Sequence, residues 1–424
     1  MKALVVGSGA REHALAWKLA SSPLVDELYA APGNPGMAEV ADCVPIRADA
    51  IVELADFAES LRIDLTVVGP ELPLVLGIRD EFERRGLALF GPHKRAAEVE
   101  GSKALTKSLC QKYGIPTADG FVVSSRDEAA TAIRSLGLPV VLKADGLAAG
   151  KGVLICRTPE DLEEALGRFF ERREFGAAGE RVVVERCLEG EELSFLVITD
   201  GRSVVPLPAA RDYKRLEDGD RGPNTGGMGA FSPAPLPREL ASAVLSHVIY
   251  PALAALASEG RWYQGVLYAG LMLTADGPKL LEFNCRFGDP ETQVIVPRLA
   301  GDIVPLLWSA ARGELKSPEL VVARQAAVCV VLASQGYPQA PRTGEPIFGV
   351  DEAKAAGALV FHAGTAREDG QLVTAGGRVL SVVGVGSSLT DAVSLAYAAA
   401  EKVRFAGMYF RRDIGKGFCS WRES

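Results

Sequence analysis

Two common sources of chemistry are scarce in this 424-residue chain. It has four histidines, His13, His93, His247 and His362. They are too scattered to suggest a catalytic or metal cluster, so packing or surface roles are expected of them. The seven cysteines (Cys43, Cys110, Cys156, Cys187, Cys285, Cys329 and Cys419) include no CxxC pair. That spacing excludes a zinc or redox motif and fits scattered reduced thiols in a cytosolic protein. Basic residues are in deficit, 46 Lys and Arg against 54 Asp and Glu, for a net charge of -8. Duplex binding rests on cations that neutralise phosphates, so nucleic acid is not an expected partner. Small anions need only a local pocket. No run of about 18 apolar residues is read anywhere, so no segment is expected to span a bilayer. The opening MKALVVGSGA reads as a strand and turn, not a signal sequence. A soluble, cytoplasmic protein without a membrane partner is expected.

What is present points to a multidomain α/β and α+β enzyme. The length suggests about three packed units. In the first hundred residues, short apolar strands (Lys2–Gly7, Leu28–Ala31, Leu65–Gly69, Leu87–Phe90) alternate with helical patterns (Arg11–Ala20, Val52–Leu61, Leu74–Arg85). That alternation predicts a doubly wound parallel sheet, with ligands off its strand ends at Gly7–Gly9, Pro32–Gly36 and Gly69–Glu71. The pattern changes near Gly101. A helix (Ser102–Tyr113) precedes strand, helix and strand through Phe121–Cys156. Val182–Glu185 and Leu193–Thr199 read as strands joined by a short acidic turn. Arg211–Pro235 is rich in Gly and Pro and longer than a plain connector, which favours a functional loop. A helix (Arg238–Leu256), strands (Val266–Thr274, Lys279–Asn284), further strands from about Ala326 and a closing helix (Asp391–Val403) follow. The expected units are 1–101, 102–325 and 326–424.

Gly7-Ser8-Gly9 begins like a dinucleotide fingerprint, but its third glycine would fall at Glu12, and no acidic residue follows the second strand to hold a ribose. A nicotinamide cofactor is therefore not expected. The loop either cradles a phosphate at a helix N-terminus or is a tight packing turn. Lys143 interrupts the apolar strand Pro139–Asp145, where a buried ammonium needs an anion unless it snorkels from an edge. Gly146–Gly152 follows at once. It lacks the Walker spacing but suits a flap over a polyphosphate, or an ordinary hairpin.

Val182–Leu188 running into Glu189–Glu192 could offer backbone to an adenine and a carboxylate to a ribose. Read alone, it fits a solvated acidic turn better. Glu282-Phe283-Asn284 is sharper, because alternate strand residues share a face. A carboxylate and an amide oxygen converging beside phosphates suit a magnesium-type site, the alternative being a surface-facing polar edge, and Arg286 adds a fork for a carboxylate or phosphate. Gly222–Gly229 (GPNTGGMG), preceded by Asp212, Lys214 and Arg215, implies backbone brought close to a ligand, or a mobile surface loop.

Together these stretches resemble the ATP-grasp ligases and, among them, the phosphoribosylamine–glycine ligase family. The resemblance covers nearly the whole chain through GSGAREHALAWKLA, APGNPG, VVGPELPLVLGI, GSKALTKSL, PVVLKADGLAAGKGV, GPNTGGMGAFSPAP, GVLYAGLM, EFNCRFGDPETQ and FHAGT. GPNTGGMG and EFNCRFGDPETQ are its most specific parts. It implies an N-terminal doubly wound parallel sheet, an ATP-grasp core with a small mobile lid at about 120–190, and a C-terminal mixed α/β domain.

The resemblance further implies ATP contacts from Lys103, Lys143, Gly150, Lys151, Gly152, Glu185, Cys187, Leu188 and Glu192. Glu185 to Leu188 would form the adenine hinge and Glu192 would meet the ribose. Glu282 and Asn284 would bind Mg²⁺ or Mn²⁺. Asp212 and Arg286 would orient glycine and the acyl group, with Lys143 as the third catalytic residue. Gly9, Arg11, Asn34 and Glu71 would line the sugar-phosphate side, and Gly226, Gly227, Met228, Asp289 and Pro290 would add substrate contacts. The implied reaction joins glycine to 5-phosphoribosylamine through glycyl phosphate, giving glycinamide ribonucleotide, ADP and phosphate in purine biosynthesis; a monomer is expected.

Departures from the family pattern are Gly9-Ala10 in place of two glycines, Glu185-Arg186-Cys187 in place of Glu-Glu-Phe, and Tyr213 where histidine is common. Gly270–Leu273 also lacks the carboxylate that other ATP-grasp enzymes place on that strand, so metal binding leans on Glu282 and Asn284. The competing readings are a biotin-carboxylase-like ligase, a nicotinamide-linked oxidoreductase and a non-catalytic nucleotide sensor.

Overall fold

The computed structural model describes residues 1–146, 152–316 and 320–418. Its first hundred residues build a five-stranded sheet in which every paired strand runs parallel. The order is Asp42–Cys43, Glu27–Pro32, Lys2–Gly7, Leu65–Val68, Leu89–Phe90. A parallel sheet covered on both faces needs near-continuous apolar strands, which Leu4, Val5, Val6, Leu65 and Val67 supply from full burial. Chain order reverses beside Lys2–Gly7, so the loops after Gly7, Pro32 and Val68 leave from one edge. The single helix expected over Leu74–Arg85 is two, Glu71–Leu76 and Ile78–Arg84. Gly77 between them adopts φ +103°, which ends the first helix and restarts the second.

Two antiparallel sheets follow. The smaller runs in the order Gly120–Val123, Val182–Arg186, Val140–Ala144, Val153–Cys156. It closes on its own apolar cluster, which includes Ile133, Leu142, Phe169 and Val184. The larger runs Val204–Pro206, Glu191–Thr199, Gly265–Thr274, Gly277–Asn284. The strands read on either side of the acidic turn therefore belong to different sheets, and Cys187–Gly190 is the crossing between them. Lys143 Nζ donates to Leu281 O at 2.9 Å, tying one sheet to the other.

The third sheet corrects the reading of Arg211–Pro235 as a loop. Its order is Arg211–Asp212, Gly229–Ser232, Ala326–Ala333, Arg378–Gly386, Leu359–His362. Both ends of the expected loop are strands, and a hairpin (Arg215–Glu217 with Arg221–Asn224) fills the interval. Glycine and proline in the stretch masked these short strands; Gly229–Ser232 pairs with residues about a hundred positions downstream, and Arg211–Asp212 pairs in turn with Ala230 and Phe231.

The helix expected over Arg238–Leu256 is a continuous run to Ser258 with a π turn at Leu245–Ile249. Pro251 follows, and its missing N–H removes one ordinary helical bond at the wider turn. Contrary to expectation, this 21-residue run is long and apolar enough to cross a membrane by length and composition. Val244, Val248, Ile249, Ala252 and Leu256 are packed into the main core, which accounts for the apolarity. The closing helix is Leu389–Ala400, two residues earlier than expected. It starts there because Ser388 Oγ accepts the Asp391 N–H (3.1 Å) and Asp391 Oδ2 accepts the Ser388 N–H (3.2 Å).

Candidate active site

The three sheets and the N-terminal strand ends meet at a cleft of about 410 Å³. One wall begins at the helix Lys103–Tyr113. Ser102 Oγ caps it by accepting the Leu105 N–H (3.0 Å) and donates to Asp145 Oδ1 (2.8 Å). Lys103 Nζ donates to Gly146 O at 3.0 Å. The helix start is thus fastened to the end of the strand that carries Lys143. Burial holds the Lys103 ammonium below its ordinary value, against the opposing pull of Glu282.

Lys143 does not snorkel. Its Nζ is 2.5 Å from Glu185 Oε2, and Lys107 Nζ is 2.5 Å from Oε1 of the same carboxylate. Lys107 also donates to Ala118 O (2.7 Å) and Thr117 Oγ1 (3.1 Å). Burial would raise the Glu185 carboxyl, but Lys143 and Lys107 hold it below the usual range. The Glu185 side chain therefore spaces two lysines. Sequence reading missed Lys107, since a lysine on a helix carries no signal of what lies opposite. Gly152 lines the cleft; Gly150 and Lys151 lie outside the described residues. Cys187, Leu188 and Glu192 stand off its wall. Cys187 donates its N–H to Pro139 O (3.1 Å), and Glu192 Oε2 accepts from Lys214 Nζ (2.9 Å).

Glu282 and Asn284 both line the cleft, as strand alternation requires. Glu282 pairs across the sheet with Gly270, where a Cβ would sit 3.2 Å from Glu282 Cγ. The missing carboxylate on that strand thus leaves room for the Glu282 side chain. Burial acts to raise the Glu282 carboxyl, but Lys214, Lys143, Lys103 and Arg286 together hold it low. Lys214 Nζ is 3.9 Å from Glu282 Oε1. Among the described residues no three His, Cys, Asp or Glu side chains form a ready-made metal cage. One carboxylate and one amide oxygen still fit a hard divalent cation whose other ligands are phosphate oxygens and water. Seven cationic and seven acidic side chains line the cleft. A polyphosphate entering so balanced a site needs a cation to accompany it.

The opposite end is organised by Arg286. Its guanidinium reaches Glu100 Oε1 (3.0 Å), Glu71 Oε2 (3.4 Å) and Asn284 Oδ1 (3.3 Å). Glu100, which also accepts the Cys285 N–H (2.7 Å), was not foreseen. Burial pushes the Asp212 carboxyl up to about 7, with Lys214 opposing. Glu291, likewise unforeseen, accepts from Tyr268 Oη (2.5 Å) and Ser194 Oγ (3.1 Å).

Arg11, Glu71 and Asp289 line the cleft, and Gly9 lines an adjoining hollow that shares Arg11 and Asp289. The Gly9 N–H, a candidate phosphate donor, is taken by Glu12 Oε2 at 2.6 Å. Glu12, where the fingerprint wants glycine, fills the first turn with its own anion. Asn34 lines neither space. It donates to Ser8 O and His362 O (2.9 Å each) and accepts the Gly36 and Met37 N–H groups, so it fixes loops. Gly226 lines the cleft, while Gly227, Met228 and Pro290 pack behind it; Met228 is fully buried. At Gly227, φ is +111° and a Cβ would collide with Pro290 Cδ.

Two of the histidines, for which packing or surface roles were expected, are buried against one another. His13 and His362 lie with ring centroids 5.7 Å apart where the N-terminal helix meets the third sheet. His13 Nδ1 accepts the His362 N–H at 2.8 Å. Their sequence separation of 349 residues hid the contact.

Two antiparallel sheets facing one another across a cleft, the smaller giving strand lysine Lys143 and the larger an acid–amide pair, define an ATP-grasp fold. Three family models of phosphoribosylglycinamide synthetase match most of the chain: the N domain at residues 1–100, the ATP-grasp (A) domain at 101–292 and the C domain at 327–417. Phosphoribosylamine–glycine ligase of Halalkalibacterium halodurans is 49% identical over 98% of this chain and 96% of its own. That of Pseudomonas aeruginosa is 49% identical over 98% and 97%. The crystal structure of the Thermotoga maritima phosphoribosylamine–glycine ligase matches with TM-score 0.86 at 38% identity, covering 97% of this chain and 100% of that one. The biotin carboxylase domain of a Hydrogenobacter thermophilus 2-oxoglutarate carboxylase, solved with MgADP and bicarbonate, shares the fold at TM-score 0.71 and 20% identity over 96% and 91% of the two chains. This chain belongs to the phosphoribosylglycinamide synthetase family.

Proposed function

We infer that this chain is the ATP-dependent ligase that joins glycine to 5-phosphoribosylamine in purine biosynthesis. The observation that carries the reading is that Lys103, Lys143, Glu282 and Asn284, remote in sequence, line one cleft. Family membership and full-length likeness to phosphoribosylamine–glycine ligases support it.

A carboxylate is a poor electrophile, so ATP first activates it. A glycine carboxylate oxygen attacks the γ-phosphorus, the bond to the β-phosphate oxygen breaks, and ADP leaves with glycyl phosphate formed. The ribosylamine nitrogen then attacks the acyl carbon and sheds a proton, and phosphate leaves with the C–O bond pair. Lys103 and Lys143 bind phosphate oxygens, acting by position and charge. Glu282 and Asn284 hold a divalent cation, Mg²⁺ or Mn²⁺, which when bound offsets phosphate charge. Arg286, held by Glu71 and Glu100, orients the glycine carboxylate, and ionised Asp212 receives its ammonium. Arg11 and the hollow at Gly9 take the sugar-phosphate end, bounded by Gly226 and Asp289. Glu185 lines the nucleotide end of the cleft, with Cys187 and Leu188 behind it as the strand-end backbone offered to the adenine, and Gly146 and Gly152 line its phosphate end.

The division at 101 and 325 belongs to this reading and is supported by the spans of the three family models. A monomer belongs to it too, as does a cytoplasmic setting, since the relatives are bacterial metabolic enzymes. Turnover of glycine labelled with ¹⁸O in both carboxylate oxygens tests the intermediate. One label per turnover is expected in the released phosphate and one in the amide. Unlabelled phosphate contradicts acyl transfer through glycyl phosphate, and a carboxylated product from bicarbonate would replace the substrate assignment.

A further inference from the structure

Gly226, on the cleft wall, is gripped at both backbone groups by residues more than a hundred positions away. Its N–H donates to Tyr337 Oη at 2.9 Å, and its carbonyl accepts from an Arg378 terminal nitrogen at 2.7 Å. The same nitrogen donates to Asp289 O at 3.0 Å, and the other terminal nitrogen pairs with Asp289 Oδ2 at 2.8 Å. The guanidinium lies flat over Gly226: a Cβ there would sit 3.1 Å from its central carbon. Glycine at 226 is what lets the fork approach.

A local irregularity aims Arg378. Leu332 pairs with Leu380 and Ala333 with Arg378, so one residue is skipped and the strand bulges where it begins. Bulges of this kind re-aim a side chain, and here the side chain leaves the third sheet for the cleft. Tyr337 is set by Gly377, whose missing Cβ leaves space for the tyrosine ring. Two glycines, a bulge and two long side chains thus converge on one backbone unit. The Asp289 carboxylate they fix stands between the cleft and the hollow at Gly9.

We propose that Arg378 and Tyr337 are positioning residues through which the C-terminal domain locks Gly226–Gly227 against Asp289 and so sets how the cleft holds its non-nucleotide substrates. They act through that backbone and need no contact with ATP. The proposal rests on the ligase reading above, and the parent enzyme separates the two: if it lacks glycine-dependent ADP release, that reading fails first, whereas a variant effect can be judged only against an active parent.

The test is steady-state ADP release by Arg378→Ala, Arg378→Lys and Tyr337→Phe, with KM determined separately for ATP, glycine and the amine. For Arg378→Ala we expect kcat/KM for glycine and amine to fall about 30-fold or more while KM for ATP stays within about twofold. Millimolar guanidinium should restore part of the loss, and Arg378→Lys, unable to span both groups, should recover little. Tyr337→Phe, which deletes one oxygen, should shift the same substrates by about three- to tenfold. Exchange of the Gly226 and Gly227 amides should quicken in Arg378→Ala and in Tyr337→Phe. The proposal is overturned if ATP and glycine parameters move together, if guanidinium restores nothing while Tyr337→Phe is silent, or if all three variants match the parent.

Discussion

Lys143 Nζ lies 2.5 Å from Glu185 Oε2, an ion pair with only 11% and 6% of the two side chains exposed. Because Lys107 holds the other oxygen, removing the one acid strands two ammonium groups away from water. Glu185→Gln keeps the shape and loses the charge. It should lower stability by about 3–5 kcal/mol, the usual cost of breaking a buried pair, and raise KM for ATP by releasing Lys143. Urea unfolding measures the first effect; an unchanged midpoint would show that the carboxylate does not balance the lysines.

Asp212 supplies a pH dependence of activity. With its carboxyl pushed up to about 7 by burial, it is largely protonated in mildly acid solution and cannot receive an ammonium. Therefore kcat/KM for glycine should rise about tenfold per pH unit and level off near neutrality. In Asp212→Asn that limb should vanish along with most of the activity. A limb that survives the substitution belongs to another group.

His13 and His362 make a prediction for stability. Burial, reinforced by neighbouring positive charge, holds them at about 3 and about 4, below the ordinary value of 6.5. Between pH 6.5 and about 4 the unfolded chain takes up protons that the folded one refuses. Their stabilising contribution is full above 6.5 and declines as pH falls, by about 1.4 kcal/mol per pH unit for each. Thermal unfolding across that range should show the loss, and His13→Asn should flatten it by about half. An equal slope in both proteins would exonerate the pair.

Gly227→Ala tests the backbone of the glycine-rich segment. At φ +111°, with Pro290 against the missing side chain, the added methyl should cost about 1–3 kcal/mol. It should weaken glycine and amine use more than ATP use, measured as the ratio of the KM values. Equal effects on all three would place the strain elsewhere.

Residues that contradict their local setting were the legible part of this site. Lys143 in an apolar strand and the Glu282–Asn284 pair at alternate positions declare a polar job, because a core strand does not place charge there without a partner. The N-terminal sheet was readable for a related reason: parallel strands buried on both faces leave continuous apolar runs. Partners supplied from afar were not legible. Glu100, Lys107 and Glu291 look like ordinary helix or turn residues until Arg286, Glu185 and Tyr268 stand opposite them. Arg378 reaches Asp289 across 89 positions from a bulge that no sequence period announces. Arg211–Asp212 and Gly229–Ser232 pass for loop because glycine and proline suppress the alternation by which strands are recognised.

The proposed function is that the acid–amide pair and the lysines facing it couple ATP cleavage to the union of two substrates. Its most direct test is ADP release with divalent cation, glycine and freshly generated phosphoribosylamine, each omitted in turn, for the parent and for Glu282→Gln. Full release should require all of them, and the folded variant should be slower by about 10²–10⁴-fold. ADP released at the same rate without glycine or without the amine, or near-parental turnover by Glu282→Gln, would contradict it.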